Sequence, residues 1–137
     1  MPGYSRTPLP KKLGIKDGFR VRLLNAPAEV RRELKSALAA CKNASNGKEP
    51  VDFMIVFTKS REGLTKKFSP LSRQLAPAGM IWVSWPKKSS GVATDLSENV
   101  VRDIGLASGL VDVKVCAVTD VWSGLKFVRR LKDRGKE

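Results

Sequence analysis

Residues 80–86 read Met-Ile-Trp-Val-Ser-Trp-Pro, and residues 87–91 continue as Lys-Lys-Ser-Ser-Gly. The first part is an almost uninterrupted apolar run, which is typical of a strand buried on both faces of a sheet. Pro86 ends this run, and a basic turn rich in hydroxyl groups follows at once. Open α/β sheets bind their ligands at the carboxyl ends of the central strands. The turn after Pro86 is therefore the first candidate site.

The segments on either side of this strand predict the rest of the sheet. Val51 to Phe57 is apolar throughout and predicts a second central strand, whereas Phe19 to Leu24 alternates and predicts a half-exposed first strand. Between these strands the apolar residues recur at helical spacing, which predicts helices in the connections. Gly109–Val115 and Leu125–Leu131 follow as a closing antiparallel pair. The order β-α-β-α-β-α-β-β predicts a three-layer α/β/α sandwich with a mostly parallel five-stranded sheet closed by a C-terminal antiparallel hairpin.

The length of 137 residues fits a single domain. We expect a flexible N-terminal arm over residues 1–12, one α/β domain over 13–132 and a basic tail over 133–137. No apolar run approaches the ~20 residues of a membrane helix, and the N-terminus lacks the apolar core of a secretory signal. We therefore expect a cytoplasmic protein without a membrane partner, while the oligomeric state stays open.

Composition excludes some kinds of site and favours others. Histidine is absent, which excludes a Ser-His or Cys-His nucleophile and a histidine-bound zinc. The two cysteines, Cys41 and Cys116, are too far apart for a CxxC motif, and we expect no metal. The net charge of +13, from 26 Lys and Arg against 13 Asp and Glu, favours anionic partners, although the excess is spread along the chain.

The predicted ligand site gathers polar and aromatic residues around the ends of the central strands. Cations, hydroxyl groups and backbone amides ahead of a helix can hold a phosphate or a carboxylate. The spacing of a P loop, GxxxxGK[ST], is absent. The alternatives are a solvated loop, capping by Asn25 and Thr58, and packing of Trp122 over the hairpin. The predicted residues are Asn25, Thr58, Ser84, Trp85, Lys87, Lys88, Ser89, Ser90, Thr94 and Trp122.

A second set of basic residues supports nonspecific binding of nucleic acid. Arg20 and Arg22 project from one face of the first strand, and the C-terminal end is basic as well. No aromatic ladder accompanies these residues, so we expect no sequence-specific recognition. The set consists of Arg20, Arg22, Arg129, Arg130 and Lys132. Further basic residues at the two ends of the chain accompany it, namely Lys11, Lys12, Lys16, Arg134 and Lys136.

Five segments resemble a small family of bacterial proteins of unknown function. The resemblance covers nearly all of residues 12–132, and it implies relatives without implying a chemistry. The segments are Leu23–Pro27, Trp82–Lys88, Gly91–Leu96, Gly109–Cys116 and Trp122–Val128.

A looser resemblance is to the Rossmann-like fold of S-adenosylmethionine-dependent methyltransferases. Leu13–Val21 is similar to the lead-in to their first strand, and Leu75–Val83 is similar to a turn and strand late in that fold. The resemblance implies a strand order 1-2-3-5-4, with the second strand of the hairpin inside. Those enzymes carry a glycine-rich turn after the first strand, where residues 25–29 of this chain read Asn-Ala-Pro-Ala-Glu. The acidic strand end that binds the ribose is not identifiable either, so we expect no cofactor and no S-adenosylmethionine.

These observations lead to one main hypothesis and two alternatives. The main hypothesis is a small bacterial, Rossmann-like protein that binds a small anionic ligand at the carboxyl ends of the central strands and catalyses no reaction. The first alternative is a nonspecific nucleic-acid-binding module. The second is an enzyme, which without histidine would need Lys87, Asp95 or Cys116 in an unusual environment.

Overall fold

The computed structural model describes residues 7–134, and a six-stranded sheet runs through this part of the chain. The strands are β1 (Arg20–Leu24), β2 (Lys42–Asn43), β3 (Val51–Phe57), β4 (Leu75–Pro86), β5 (Leu110–Ala117) and β6 (Trp122–Arg129). Their order in the sheet is β2-β1-β3-β4-β6-β5. The first four are parallel to one another, and β6 is antiparallel to both β4 and β5.

Helices cover both faces of this sheet. They are α1 (Leu9–Leu13), α2 (Ala28–Leu38), α3 (Arg61–Ser72) and α4 (Glu98–Ala107). The apolar residues of α1 and α2 belong to the core on one face, and those of α3 and α4 belong to the core on the other. The predicted three-layer α/β fold is therefore confirmed. The predicted strand order 1-2-3-5-4 is confirmed as well, because the five predicted strands correspond to β1, β3, β4, β5 and β6. The short strand β2 is added at the edge of the sheet.

The apolar run of β3 has a simple structural cause. Met54 and Val56 pack into the core beneath α3 and α4, while Phe53 and Ile55 pack into the core beneath α1 and α2. A strand covered on both faces has no exposed positions, so its sequence shows no alternation. The same holds for β4 from Met80 to Pro86, where every residue is buried.

One strand, β2, is not predicted from the sequence, and β4 and β6 differ from their predicted bounds, since β6 runs Trp122–Arg129 and not Leu125–Leu131. β2 is only two residues long and exposed, so no apolar pattern marks it in the sequence. β4 starts at Leu75, because the predicted turn at residues 77–79 is an irregular stretch within the strand, where the pairing jumps from Val51–Leu75 to Phe53–Met80. Gly79 is required there, since a side-chain carbon would lie 2.5 Å from the carbonyl oxygen of Val51.

The predicted N-terminal arm contains α1. Leu9 and Leu13 are buried on the sheet, and the indole nitrogen of Trp82 donates a hydrogen bond of 2.9 Å to the Leu13 carbonyl. The prolines at positions 8 and 10 suggested an arm, but proline is well tolerated at the start of a helix. Residues 1–6 of the arm, and residues 135–137 of the predicted tail, lie outside the described residues.

Two of the helices begin with a side-chain cap, and α2 does not. Ser60 accepts a hydrogen bond from the amide of Gly63 and caps α3, and Ser97 caps α4 in the same way through Val100. Asn25 caps no helix, because Pro27 is the N-cap residue of α2. Among residues 7–134, no helix is both long and apolar enough to cross a membrane.

An ion pair between α4 and β5 makes stability depend on pH. Arg102 Nε donates to Asp112 Oδ2 at 2.9 Å, and this hydrogen bond holds the pKa of Asp112 below its ordinary value of 3.8. The pKa of Asp112 is therefore lower in the folded protein than in the unfolded chain. As the solution is acidified, the unfolded chain binds this proton at a higher pH than the folded protein does. The contribution of Asp112 is therefore complete above its unfolded pKa and is lost as the pH falls through its folded pKa.

We expect the wild-type protein to lose more thermal stability than Asp112→Asn as the pH falls from about 7 to about 2.5. The variant starts from a lower melting temperature at neutral pH, and the two curves converge in acid. Asp103→Asn, which changes an exposed carboxyl on α4, serves as the control and should follow the wild type. Parallel curves for Asp112→Asn and the wild type would contradict the assignment. Melting followed by circular dichroism measures the effect.

Candidate functional site

The carboxyl ends of the parallel strands meet at one edge of the sheet. The chain leaves β1 toward α2 on one face, and it leaves the neighbouring β3 toward α3 on the other face. This divergence is a topological switch point, the place where open α/β sheets bind ligands. Two turns border it, residues 25–27 after β1 and residues 58–60 after β3.

The turn after β1 has a backbone conformation that its composition does not suggest. Asn25 has a φ of 59°, and it is the one non-glycine residue with positive φ among those the structure describes. Asparagine enters this left-handed region more easily than most residues do. The turn thus takes a conformation usually supplied by glycine, although it contains none. No side chain caps the start of α2 behind it.

Two hydrogen bonds join the loop after β4 to the start of α3. The Thr94 hydroxyl donates to the Lys59 carbonyl at 2.7 Å, and Asp95 Oδ1 accepts from the Arg61 amide at 2.7 Å. Asp95 therefore caps the first amide of α3 from another loop and does not cap α4. The two loops form one wall at the carboxyl edge of the sheet.

A groove of about 590 Å³ lies beside this wall, between the loop of residues 87–98 and the ends of β4 and β6. Trp85, only 5% exposed, contributes the buried aromatic part of its lining. Both Lys87 and Lys88 line it as cations. The groove therefore brings together four of the predicted residues, which are Trp85, Lys87, Lys88 and Thr94.

The groove also has an acidic part, of which the sequence indicated only Asp95, as a residue that an enzyme would need. Asp95 and Glu98 line it together with Ser123 from β6. Glu98 is held in an ion pair by Arg102, with Oε2 at 2.6 Å from the guanidinium. In the sequence the simplest explanation of Asp95 is a helix cap, and nothing singles out Glu98. Only the position of β6 next to β4 shows that Ser123 reaches the site.

The remaining predicted ligand residues lie outside the groove. Ser84 is fully buried and donates its hydroxyl hydrogen bond to the Ser123 carbonyl at 2.7 Å, so its predicted contact with a ligand is replaced by an internal one. Trp122 packs edge-on against Phe57, with ring centroids 5.3 Å apart. Ser90 donates to the Lys87 carbonyl within a 3-10 turn, Lys88–Ser90, whose middle residue Ser89 is exposed.

Asn25 and Thr58 lie at the switch point, so the predicted residues divide between two neighbouring places. The Thr58 amide donates to the Ser84 carbonyl at 3.0 Å, and its hydroxyl accepts from the Ser60 amide at 3.3 Å. Sequence reasoning placed both residues at the correct edge of the sheet. It did not show that they are separate from the lysine loop.

The arginines of the second predicted set make internal contacts. Arg20 forms an ion pair with Asp52 at 3.2 Å, and Arg22 donates to the Gln74 side chain at 2.6 Å. Arg129 donates to the carbonyl oxygens of Ser72 and Leu75. The other two residues of the set, Arg130 and Lys132, are exposed. The five do not form one free basic surface.

The cysteines and carboxylates offer little alternative chemistry. Burial raises the pKa of the Cys116 thiol, and burial also raises the pKa of Cys41. A raised pKa lowers the fraction of reactive thiolate. Within residues 7–134, no cluster of three or more Cys, Asp or Glu side chains is arranged to hold a metal ion.

Comparison with solved structures places this fold among the methyltransferases. A SAM-dependent methyltransferase from Aquifex aeolicus gives a TM-score of 0.60 at 18% identity, with 85% of each chain covered. A putative type 11 methyltransferase from Sulfolobus solfataricus gives 0.57 at 18% identity, with 89% of each chain covered. Magnesium protoporphyrin IX methyltransferase from Synechocystis PCC 6803, solved with bound SAH, gives 0.56 at 13% identity, covering 83% of this chain and 75% of that one.

This likeness confirms the predicted Rossmann-like methyltransferase fold. It contradicts the main hypothesis of a non-catalytic protein that binds a small anion, because the similar structures are those of SAM-dependent methyltransferases. The anion site of that hypothesis was drawn from the basic, hydroxyl-rich loop after β4, and its non-catalytic part from the missing glycines after β1 and the absence of histidine. The left-handed Asn25 gives the turn after β1 a conformation that glycine usually supplies.

Sequence comparison identifies the family directly. No curated protein matches the chain. A family model described as "Protein of unknown function (DUF3052)" matches residues 11–131, which is nearly the whole of the described structure. The predicted resemblance to a family of unknown function is confirmed, and the chain belongs to the DUF3052 family.

Proposed function

We propose that the protein binds an S-adenosyl compound at the switch point between β1 and β3 and transfers its methyl group to an acceptor in the adjoining groove. The observation that carries this proposal is the left-handed turn at Asn25, at the carboxyl end of the first strand of a methyltransferase fold. The proposal makes the protein an enzyme. It also makes S-adenosylmethionine its cofactor, against the expectation from the sequence.

The residues at the switch point fit such a ligand on one side. The exposed Asn25 amide offers both a donor and an acceptor, and the uncapped start of α2 presents positive backbone dipoles to a carboxylate. Pro27 removes one amide donor there. On the ribose side, β2 ends in Asn43, whose Oδ1 already accepts from the Ser45 amide at 2.8 Å. The Asn43 amide nitrogen is then the group left to bind a ribose hydroxyl.

The groove supplies the environment for the acceptor. The bound cofactor would supply an electrophilic methyl group on a sulfonium centre. Trp85 gives the acceptor an apolar contact within the groove. Asp95 is fixed through Oδ1 to the Arg61 amide, whereas Glu98 is neutralised by Arg102. We therefore assign Asp95 as the carboxylate that takes the proton from the attacking group of the acceptor.

Titration calorimetry with S-adenosylhomocysteine tests the proposal without a known acceptor. We expect the wild-type protein to bind it and Asn25→Val to bind at least about tenfold more weakly, because a β-branched residue costs about 1–2 kcal/mol in the left-handed region. Asn25→Gly is the matched control. It keeps the conformation and removes only the side-chain amide, so we expect it to lose clearly less affinity than Asn25→Val does.

Two results would overturn the proposal. One is the absence of a binding isotherm at millimolar S-adenosylhomocysteine, and the other is unchanged affinity in Asn25→Val. Circular dichroism of each variant shows whether the fold is intact. Asp95→Asn should leave the affinity for S-adenosylhomocysteine unchanged, since Asp95 is assigned to the acceptor and not to the cofactor.

A further inference from the structure

Two lysines face each other across the closing hairpin. In the register of β5 and β6, Lys114 lies directly opposite Lys126. Like charges in directly opposite positions of a sheet are destabilising. The pair is therefore an arrangement that stability alone would not favour.

A β-bulge creates this arrangement. The pairing of β5 with β6 shifts between Asp112 and Lys114, so Val113 is an extra residue in β5. In a regular ladder Val113 would lie opposite Lys126. The bulge instead leaves Val113 53% exposed and brings Lys114 to that position. Bulges of this kind redirect a side chain and frequently lie next to functional sites.

The N-terminal segment that carries Lys12 and Lys16 lies against this pair. Lys114 Nζ donates to the Lys12 carbonyl at 3.0 Å, which holds Lys114 against α1. Burial lowers the pKa of Lys126, and the charges of Lys114 and Lys16 lower it further. None of the ion pairs formed within residues 7–134 involves any of these four lysines.

We propose that Lys12, Lys16, Lys114 and Lys126 form a binding site for a multiply charged phosphate group. We call these four residues the lysine cluster. A bound polyanion relieves the repulsion that the bulge builds into the hairpin. Phosphate fits better than a peptide carboxylate, because several neighbouring cations favour a group that carries more than one negative charge, and lysine binds phosphate as a point charge.

The lysine cluster is separate from the switch point. It lies on the α1 side of the sheet, over the middle of β5 and β6, and not at the carboxyl edge that carries Asn25 and Trp85. The inference therefore does not depend on methyl transfer. Failure of S-adenosylhomocysteine to bind would not contradict the phosphate site. Failure of phosphate to bind the lysine cluster would not contradict the proposed methyl transfer.

Inorganic tripolyphosphate is the first probe, used with the double variant Lys114→Met/Lys126→Met. We expect the wild type to bind tripolyphosphate and to melt at a higher temperature with it. The double variant should bind at least about tenfold more weakly. Without ligand it should melt at a higher temperature than the wild type, because the repulsion is gone. A purely structural role for these lysines predicts the opposite sign.

The control is Lys35→Met/Lys67→Met, which removes the same charge from exposed positions on α2 and α3. It should keep most of the affinity for tripolyphosphate. Equal losses in the two double variants would overturn the proposal, and so would a wild type that binds neither tripolyphosphate nor a single-stranded RNA. So would destabilisation of Lys114→Met/Lys126→Met in the absence of ligand. Polyglutamate that binds as tightly as tripolyphosphate would overturn the assignment of phosphate.

A single-stranded RNA of uniform sequence distinguishes the two sources of such phosphate. If the natural ligand is a nucleic acid strand, the RNA binds with a strong salt dependence. Loss of two contacts should then reduce the slope of log K against log salt by about 1.4, at about 0.7 per phosphate. If it is a small polyphosphate or nucleotide, tripolyphosphate binds and the RNA does not. Either result, if it depends on Lys114 and Lys126, supports the site, and binding of neither probe overturns it.

Discussion

Gly105→Ala is expected to lower the free energy of unfolding by about 3 kcal/mol, at the upper end of the usual cost of overpacking a core. Gly105 lies in α4 against the ring of Phe127 on β6, and a side-chain carbon there would lie 2.0 Å from Cε1 of that ring. Phe127 is fully buried and meets Phe68 edge-on at 5.4 Å. The ring therefore cannot move aside without displacing α3. Alanine favours a helix by about 1 kcal/mol over glycine, and this gain is too small to compensate.

Gly63→Ala is the matched control for this effect. It makes the same change in α3, where the new carbon would lie 3.4 Å from the Ser60 hydroxyl oxygen, an ordinary contact. We expect this variant to be as stable as the wild type or more stable, by up to about 1 kcal/mol. Urea denaturation followed by circular dichroism measures both. Equal stability of Gly105→Ala and Gly63→Ala would show that α4 packs on the sheet less closely than described.

The central strands were predictable because burial on both faces of the sheet produces an almost uninterrupted apolar run in the sequence. Ile55 and Trp82 are fully buried, and nearly all of their neighbours in β3 and β4 are buried and apolar. Elements that are held mainly by contacts with other parts of the fold show no such apolar pattern. β2 is two exposed residues placed by backbone pairing with β1. α1 is a single short helix whose two buried leucines show no repeating pattern.

The candidate site was predictable in position but not in detail. Trp85 and the following lysines were indicated because they come after a central strand that ends abruptly. The conformation of Asn25 was not, because residue type alone does not determine φ at a turn. Asp95 illustrates a second limit. Its partner, the Arg61 amide, is 34 residues away, so no local pattern could identify the contact.

The lysine cluster could not be predicted from sequence for a related reason. Lys12 and Lys114 are separated by 102 residues. Their proximity depends on α1 lying over the hairpin, and the pairing of Lys114 with Lys126 depends on a one-residue bulge. A regular hairpin of the same sequence would have placed Val113 there. The distribution of charge pointed to Lys12 and Lys16 but not to Lys114 or Lys126. It also pointed to arginines such as Arg20, which the structure uses for internal contacts.

Trp82→Ala is expected to cost about 3–5 kcal/mol of the free energy of unfolding, the usual range for removing a large buried aromatic side chain. Trp82 is fully buried in β4, between β3 and β6. Its indole also supplies the hydrogen bond that ties α1 to the sheet, so the substitution leaves the Leu13 carbonyl without its partner. Trp122→Ala is the control, because Trp122 is half-buried. We expect it to cost less than half as much in the same urea denaturation experiment.

Trp82→Phe separates the hydrogen bond from the packing, and it remains measurable if the alanine variant does not fold. Phenylalanine keeps most of the apolar contact but cannot donate to Leu13, so α1 should loosen while the sheet stays intact. Hydrogen exchange should then rise in residues 9–15 and stay unchanged in β3. Because α1 carries Lys12, the affinity for tripolyphosphate should fall, whereas that for S-adenosylhomocysteine should not. Unchanged exchange in α1 would show that its buried leucines hold the helix without Trp82, and an equal fall in both affinities would show that the two sites are not separate.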